Sequence, residues 1–169
     1  MEAVAAVVLG AVVFLHAWQL FGLAESKTTG LVGAAGALAL AALAIWKPAP
    51  MLSKAAVEAT AASTLIWAIY AALVAAVGLW DFGPRGLGLY SVYAAVMMIG
   101  QIIYCVVGRL FLAGLICGIV QFVVFGMLFF YLAIPFNILK KATAWVLVVA
   151  GPIHWVLAAL MLMKVPGLV

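Results

Sequence analysis

Residues 3–15 read AVAAVVLGAVVFL, a run with no charge and no alternation of polar with apolar side chains. A strand of a membrane barrel would switch sides every residue over about ten positions. An unbroken apolar run is instead what a helix crossing lipid requires, because inside a bilayer every backbone N–H and C=O must be satisfied within the segment. The run continues to residue 22, and five more charge-free stretches follow at about 30–46, 59–80, 86–108, 110–135 and 142–163. The pattern predicts an all-α integral membrane protein, a six-transmembrane-helix bundle forming a single transmembrane domain over 1–169.

Composition agrees. Of 169 residues, 71% are hydrophobic and 7% charged, and the mean hydropathy is +1.41. A soluble domain carries roughly a quarter charged residues, and too few are present here to cover a water-facing globule. Six spans at about 20 residues each consume roughly 120 positions and leave no room for a large extramembrane domain. The first run has no basic segment ahead of it, so it reads as a retained span and not as a cleaved signal.

Charge restricts the partners. The net charge of +4 comes from scattered basic residues, with no run longer than Lys140-Lys141, whereas a nucleic-acid surface needs a clustered basic face. Cys105 and Cys117 both fall inside apolar runs, where a disulfide is not expected. An even number of spans puts both termini on one side. Which side, the charges leave open: Lys27, Arg85, Lys140 and Lys141 in the odd-numbered connections are balanced by Lys47, Lys54, Arg109 and Lys164 in the others. Trp46, Trp80 and Trp145 stand at span ends, where an interfacial aromatic belt places them.

Polar groups at membrane depth are costly, so their angular positions mark faces turned toward protein or a wet path. In the fourth span Tyr90, Tyr93, Met97, Gln101 and Tyr104 recur at helical spacing. Any one of them reads as an interhelical hydrogen bond, and the whole stripe reads as a lining. In the fifth, Cys117, Gln121, Phe125 and Phe129 recur every fourth residue, with Gln121 near mid-membrane. In the third, Thr64, Trp67 and Tyr70 share a face, Trp67 and Tyr70 too deep for interfacial anchors. The first span adds His16 and Gln19, and the sixth adds His154 and Trp155 just after Gly151-Pro152. Pro152 has no N–H, so the Val148 carbonyl loses its helical donor.

No Asp, Glu, Lys or Arg lies within a span beyond Glu58 at the start of the third, so an ionisable relay of the kind proton-coupled transporters use rests on His16 and His154 alone. A mid-span lysine for a retinal Schiff base is absent. So are a nucleophile–histidine motif, HExxH and clustered metal ligands, so neither an enzyme nor a resident cofactor or metal is expected. Glycines at 30, 33 and 36, and at 114 and 118, read as seams of close helix packing. What remains is a bundle with rings and amides facing inward, suited to passive conduction of a small neutral polar solute such as urea or a short amide. Two alternatives stay open: a proton-coupled carrier using His154, and a non-transporting scaffold or haem-binding subunit.

Three blocks resemble one family, the AmiS/UreI amide and urea channels. VLGAVVFLHAWQLFG (8–22) resembles its first helix, with His16-Ala17 where Asn-Gly is common. AIYAALVAAVGLWDFGPRGLGLYSVYAAV (68–96) resembles its third helix, the following turn and the opening of the fourth, and FNILKKATAWVLVVAG (136–151) resembles the connection into a Trp-bearing sixth helix. The resemblance implies three helical hairpins around a central pore in each protomer and a homohexamer in a bacterial or archaeal plasma membrane with both termini outside. It also implies a functional link to a cytoplasmic amidase or urease. Tyr70 matches a pore-lining tyrosine, and Phe125, Phe129 and Phe130 stand where urea channels have slot-forming tryptophans. With Trp67, Tyr93, Gln101, Gln121, His16, His154 and Trp155 these make up the expected lining for urea, formamide or acetamide. Acid-gated members carry histidines in long external loops; the loops here are brief and without histidine, and Ala150 stands where those members have a carboxylate, so conduction without acid gating is expected.

Overall fold

A computed structural model describes residues 2–45, 54–107, 112–134 and 136–163. It contains α1 (Glu2–Leu20), α2 (Ser26–Ile45), α3 (Lys54–Trp80), α4 (Arg85–Val107), α5 (Leu112–Leu128) and α6 (Lys140–Leu162). A π-helical turn, Phe129–Ala133, extends α5, and a 3-10 turn, Asn137–Leu139, leads into α6. All six helices, counting α5 with its extension, are long and apolar enough to cross a membrane. The protein is multi-pass and all-α. Trp46, Lys47, Arg109 and Lys164 lie outside the described residues.

The helices overrun the apolar stretches. α2 begins at Ser26 where hydropathy suggested 30, and α3 begins at Lys54 where it suggested 59. Charged and hydroxylated residues end the lipid-compatible segment, but they do not end a helix, whose backbone bonds close equally well in the headgroup layer and in water. Where α1 does stop, the cause is local. Gly22 adopts φ +78°, its N–H donates to the Gln19 carbonyl (2.9 Å), and the Leu23 N–H reaches back to Trp18 (2.9 Å). This is a Schellman cap, which needs a left-handed residue after the last turn. Gln19 Nε2 then donates to Ser26 Oγ (2.8 Å), tying α1 to the start of α2.

The helices close into a ring in which α2 packs most extensively on α3, α4 on α5 and α6 on α1, with looser joins between these pairs. Two of the tight pairs are sequence-adjacent hairpins, and the third joins the two ends of the chain. Each tight pair has a seam of small residues. Gly30 and Gly33 approach the α3 backbone, where an added Cβ would lie 3.0 Å from the carbonyl carbon of Gly78 and 2.9 Å from the Ala71 carbonyl oxygen respectively. Gly10 and Gly151 face each other across α1 and α6, and Gly118 meets Ile102 across α4 and α5. Between helices in lipid there is little hydrophobic drive, so close backbone approach and dispersion decide which faces meet.

That rule overturns the expected orientation of α4. Its buried face is Leu87, Gly88, Ser91, Ala94, Ala95, Met98 and Cys105, while Tyr93, Met97 and Tyr104 are exposed. Gly88, Ser91, Ala94 and Ala95 let α4 approach its neighbours, with Leu87 and Met98 buried beside them, while Tyr93, Met97 and Tyr104 are turned away. Tyr90 and Gln101, at the edge of the stripe, are held by α3: the Tyr90 hydroxyl donates to the Ile66 carbonyl (2.6 Å) and Ser63 Oγ donates to Gln101 Oε1 (3.1 Å).

Candidate solute site

At the centre of the ring, α1, α3, α5 and α6 bring five ring-bearing side chains into one buried group, His16, Trp67, Tyr70, Phe125 and His154, with buried Gln121 one turn from Phe125 on α5. The Trp67 and Phe125 rings stack at 4.5 Å with 29° between their planes. Tyr70 stands edge-on to both, at 5.2 Å from Trp67 and 5.7 Å from Phe125. His154 meets Trp67 at 6.2 Å, and Tyr90 reaches Phe125 at 6.5 Å. Trp67 and Tyr70 are three residues apart and so share one face of α3, the same face as buried Ala71 and Val74 that carries the helix into the core. Gln121 lies one turn before Phe125 on α5 for the same reason.

Hydrogen bonding inside the group is incomplete in a definite pattern. His16 Nδ1 and the Tyr70 hydroxyl are bonded at 2.7 Å, joining α1 to α3. His154 Nδ1 donates to the Ala150 carbonyl of its own helix (2.7 Å). Gln121 Nε2 donates to Cys117 Sγ (2.9 Å). Three buried polar atoms have no partner among the described residues: Trp67 Nε1, Gln121 Oε1 and His154 Nε2. A buried donor or acceptor left unpaired costs about 1–3 kcal/mol, so three in one ring-lined group mark a place built to meet polar atoms from elsewhere. Every charged residue whose side chain is described, Glu25, Lys27, Asp81, Arg85, Lys140 and Lys141, is exposed. The group is therefore neutral and aromatic, a surface on which a flat uncharged molecule can stack and exchange a few hydrogen bonds.

The residues expected as lining fall into different surroundings. His16, Trp67, Tyr70, Gln121, Phe125 and His154 come together; Phe129 is half-buried beside Phe130 in the π-helical turn, and Gln101 is committed to Ser63. Tyr93, Phe130 and Trp155 are corrected: they lie apart from the buried group and are exposed, at 54%, 46% and 36%. For Trp155 the cause is the α1–α6 seam. Its indole leans on Phe14 (5.3 Å) and donates from Nε1 to the Val7 carbonyl (3.2 Å), which holds the ring against α1. Phe130 adjoins half-buried Phe129, and a helical turn does not point neighbours the same way. The His16–Tyr70 bond was not anticipated from the sequence, because nothing local relates positions on α1 and α3.

No family model matches the chain, and no curated protein matches its sequence. Among solved structures, the crystal structure of the urea channel from the human gastric pathogen Helicobacter pylori matches with a TM-score of 0.77, covering 97% of this chain and 98% of that chain at 15% sequence identity. The six-helix ring described above is thus the fold of that urea channel, followed along nearly its whole length by a chain that shares few of its residues.

Proposed function

We propose that the protein is a passive channel conducting small neutral amides, urea or both across the plasma membrane. The observation that carries this reading is that three buried polar atoms, on Trp67, on His154 beside it and on Gln121 one turn from Phe125, have no partner among the described residues. A conducting site must repay the solute for lost water without trapping it. Rings that cover the faces of a planar molecule, with few hydrogen-bonding groups at its edge, meet both needs. The fold shared with a urea channel supports the same reading. Each protomer carries its own path within a homohexamer, the termini face outward, and the solute feeds a cytoplasmic amidase or urease. No chemistry is performed on it.

Stopped-flow shrinkage and reswelling of proteoliposomes is the direct test. Urea, formamide and acetamide are expected to enter well above the rate in empty vesicles, and glycerol, non-planar and larger than urea, no faster than through lipid alone. Reswelling identical to that of empty vesicles for all four solutes refutes conduction. Flux that vanishes when the proton gradient is collapsed refutes passivity in favour of a coupled carrier.

Flux is also expected to change by less than about twofold between roughly pH 5 and 8, the window in which histidine charge ordinarily changes. The charged residues described at the membrane edges are carboxylates, lysines and an arginine, with no histidine among them. A many-fold rise on acidification, read in the same vesicles, contradicts this.

A further inference from the structure

We infer that His154 selects solutes by their N–H groups, acting as a fixed hydrogen-bond acceptor in the path; this rests on the conduction reading above. The Ala150 carbonyl can only accept, so the 2.7 Å bond to it requires that His154 Nδ1 carry the proton. In the neutral ring the other nitrogen, Nε2, then offers only a lone pair. That atom is buried and has no partner among the described residues, on a residue with no exposed surface.

The other two unpartnered atoms complete the recognition. Gln121 Oε1 is an acceptor and Trp67 Nε1 a donor, on residues 3% and 2% exposed. The Trp67 ring is the common neighbour, stacked on Phe125 and edge-on to His154, and Gln121 is one turn from Phe125. Two acceptors and one donor, on residues in or beside one buried aromatic group, are in kind the complement of a primary amide or urea, which has N–H groups to give and one carbonyl to receive. The three readers differ in rigidity. The Gln121 amide can turn over and exchange its oxygen for its nitrogen, so it suits a donor or an acceptor. His154 cannot make that exchange without giving up the bond to Ala150. Discrimination between a solute with N–H groups and one without therefore falls on His154, where a molecule lacking the donor leaves a buried lone pair unmet.

Two isomers of equal composition separate this from selection by size. Propionamide has two N–H groups and N,N-dimethylformamide has none. In proteoliposomes, after subtraction of empty-vesicle flux, propionamide is expected to permeate about tenfold faster. His154→Leu is expected to bring the ratio close to one, and His154→Gln, which restores an acceptor, to recover part of it. Where the leucine variant fails to fold, His154→Phe keeps a flat ring against Trp67 without an acceptor and must lower the ratio equally. Equal permeation of the isomers through the native protein, with urea still conducted, overturns the role of His154 and leaves the channel standing. A ratio retained in the acceptor-less variants also overturns it. Absence of flux for urea and for both isomers overturns the channel reading and this inference together.

Discussion

Replacing Gly78 by leucine is expected to abolish the folded protein, while the same replacement at Gly100 leaves it intact. A Cβ built on Gly78 falls against the Ser26 carbonyl oxygen and the backbone of Gly30, and Gly30 in turn lies against Gly78 and Leu79. These are main-chain atoms of α2, which cannot rotate away as a side chain would. Accommodation requires the two helices to separate, and the close approach of Gly33, where an added Cβ would lie 2.9 and 3.0 Å from the Ala71 oxygen and Ala75 nitrogen, opens with them further along the same seam. Overpacking costs about 1–3 kcal/mol when side chains can adjust, and more when backbone must move. Gly100 has nothing within 4 Å of its Cβ position and sits on the outward face of α4. Leucine there gains roughly 0.5–1 kcal/mol of helix propensity over glycine. Monodisperse yield and the thermal midpoint followed by tryptophan fluorescence report the difference; equal behaviour of the two variants would mean that the α2–α3 seam does not hold the bundle.

Phe125→Ala is expected to lower stability and loosen solute selection at once. Phe125 has no exposed surface and touches Trp67, Tyr70 and Tyr90. Removing its ring empties roughly 100 Å³, and at about 24 cal/mol per Å³ the unfilled space alone costs about 2 kcal/mol. With that ring gone, the face of Trp67 that it covers is laid open and the space beside it widens. Glycerol permeability relative to urea should then rise, by about tenfold if roughly 1.4 kcal/mol of steric barrier is lost. The comparison uses the vesicles described above, with Phe122→Ala, an exposed ring on the same helix, as control. An unchanged glycerol-to-urea ratio removes Phe125 from the path.

The contrast between those two positions shows where sequence reading succeeds. Gly30, Gly33 and Gly36 were legible as a packing seam because three small residues at helical spacing in lipid have few other uses. Their partner, Gly78, was not, because nothing in a single helix says which neighbour it meets. Trp67 and Tyr70 were legible as inward-facing from their depth, and Gln121 and His154 from the cost of a polar group in lipid. Tyr93 and Trp155 failed under the same reasoning. Position in the span measures how deep a residue lies, and depth does not say whether it faces protein or lipid. On α4 the signal was present in the complementary residues: Ser91, Ala94, Ala95 and Met98 form the narrow face that lets the helix approach, and the tyrosine stripe is displaced from it.

Six crossings, their approximate limits and the neutrality of what lies inside them are properties of short windows of the chain, and the sequence by itself determined these. Helix ends escaped it by up to a turn and a half, because polarity marks the edge of lipid while a backbone hydrogen bond is indifferent to it. The pairing of α6 with α1, the His16–Tyr70 bond and the meeting of Trp67, Gln121 and His154 around Phe125 were decided only by tertiary structure. Each depends on how helices distant in sequence are rotated against one another, and that rotation is set where glycine allows two backbones to touch.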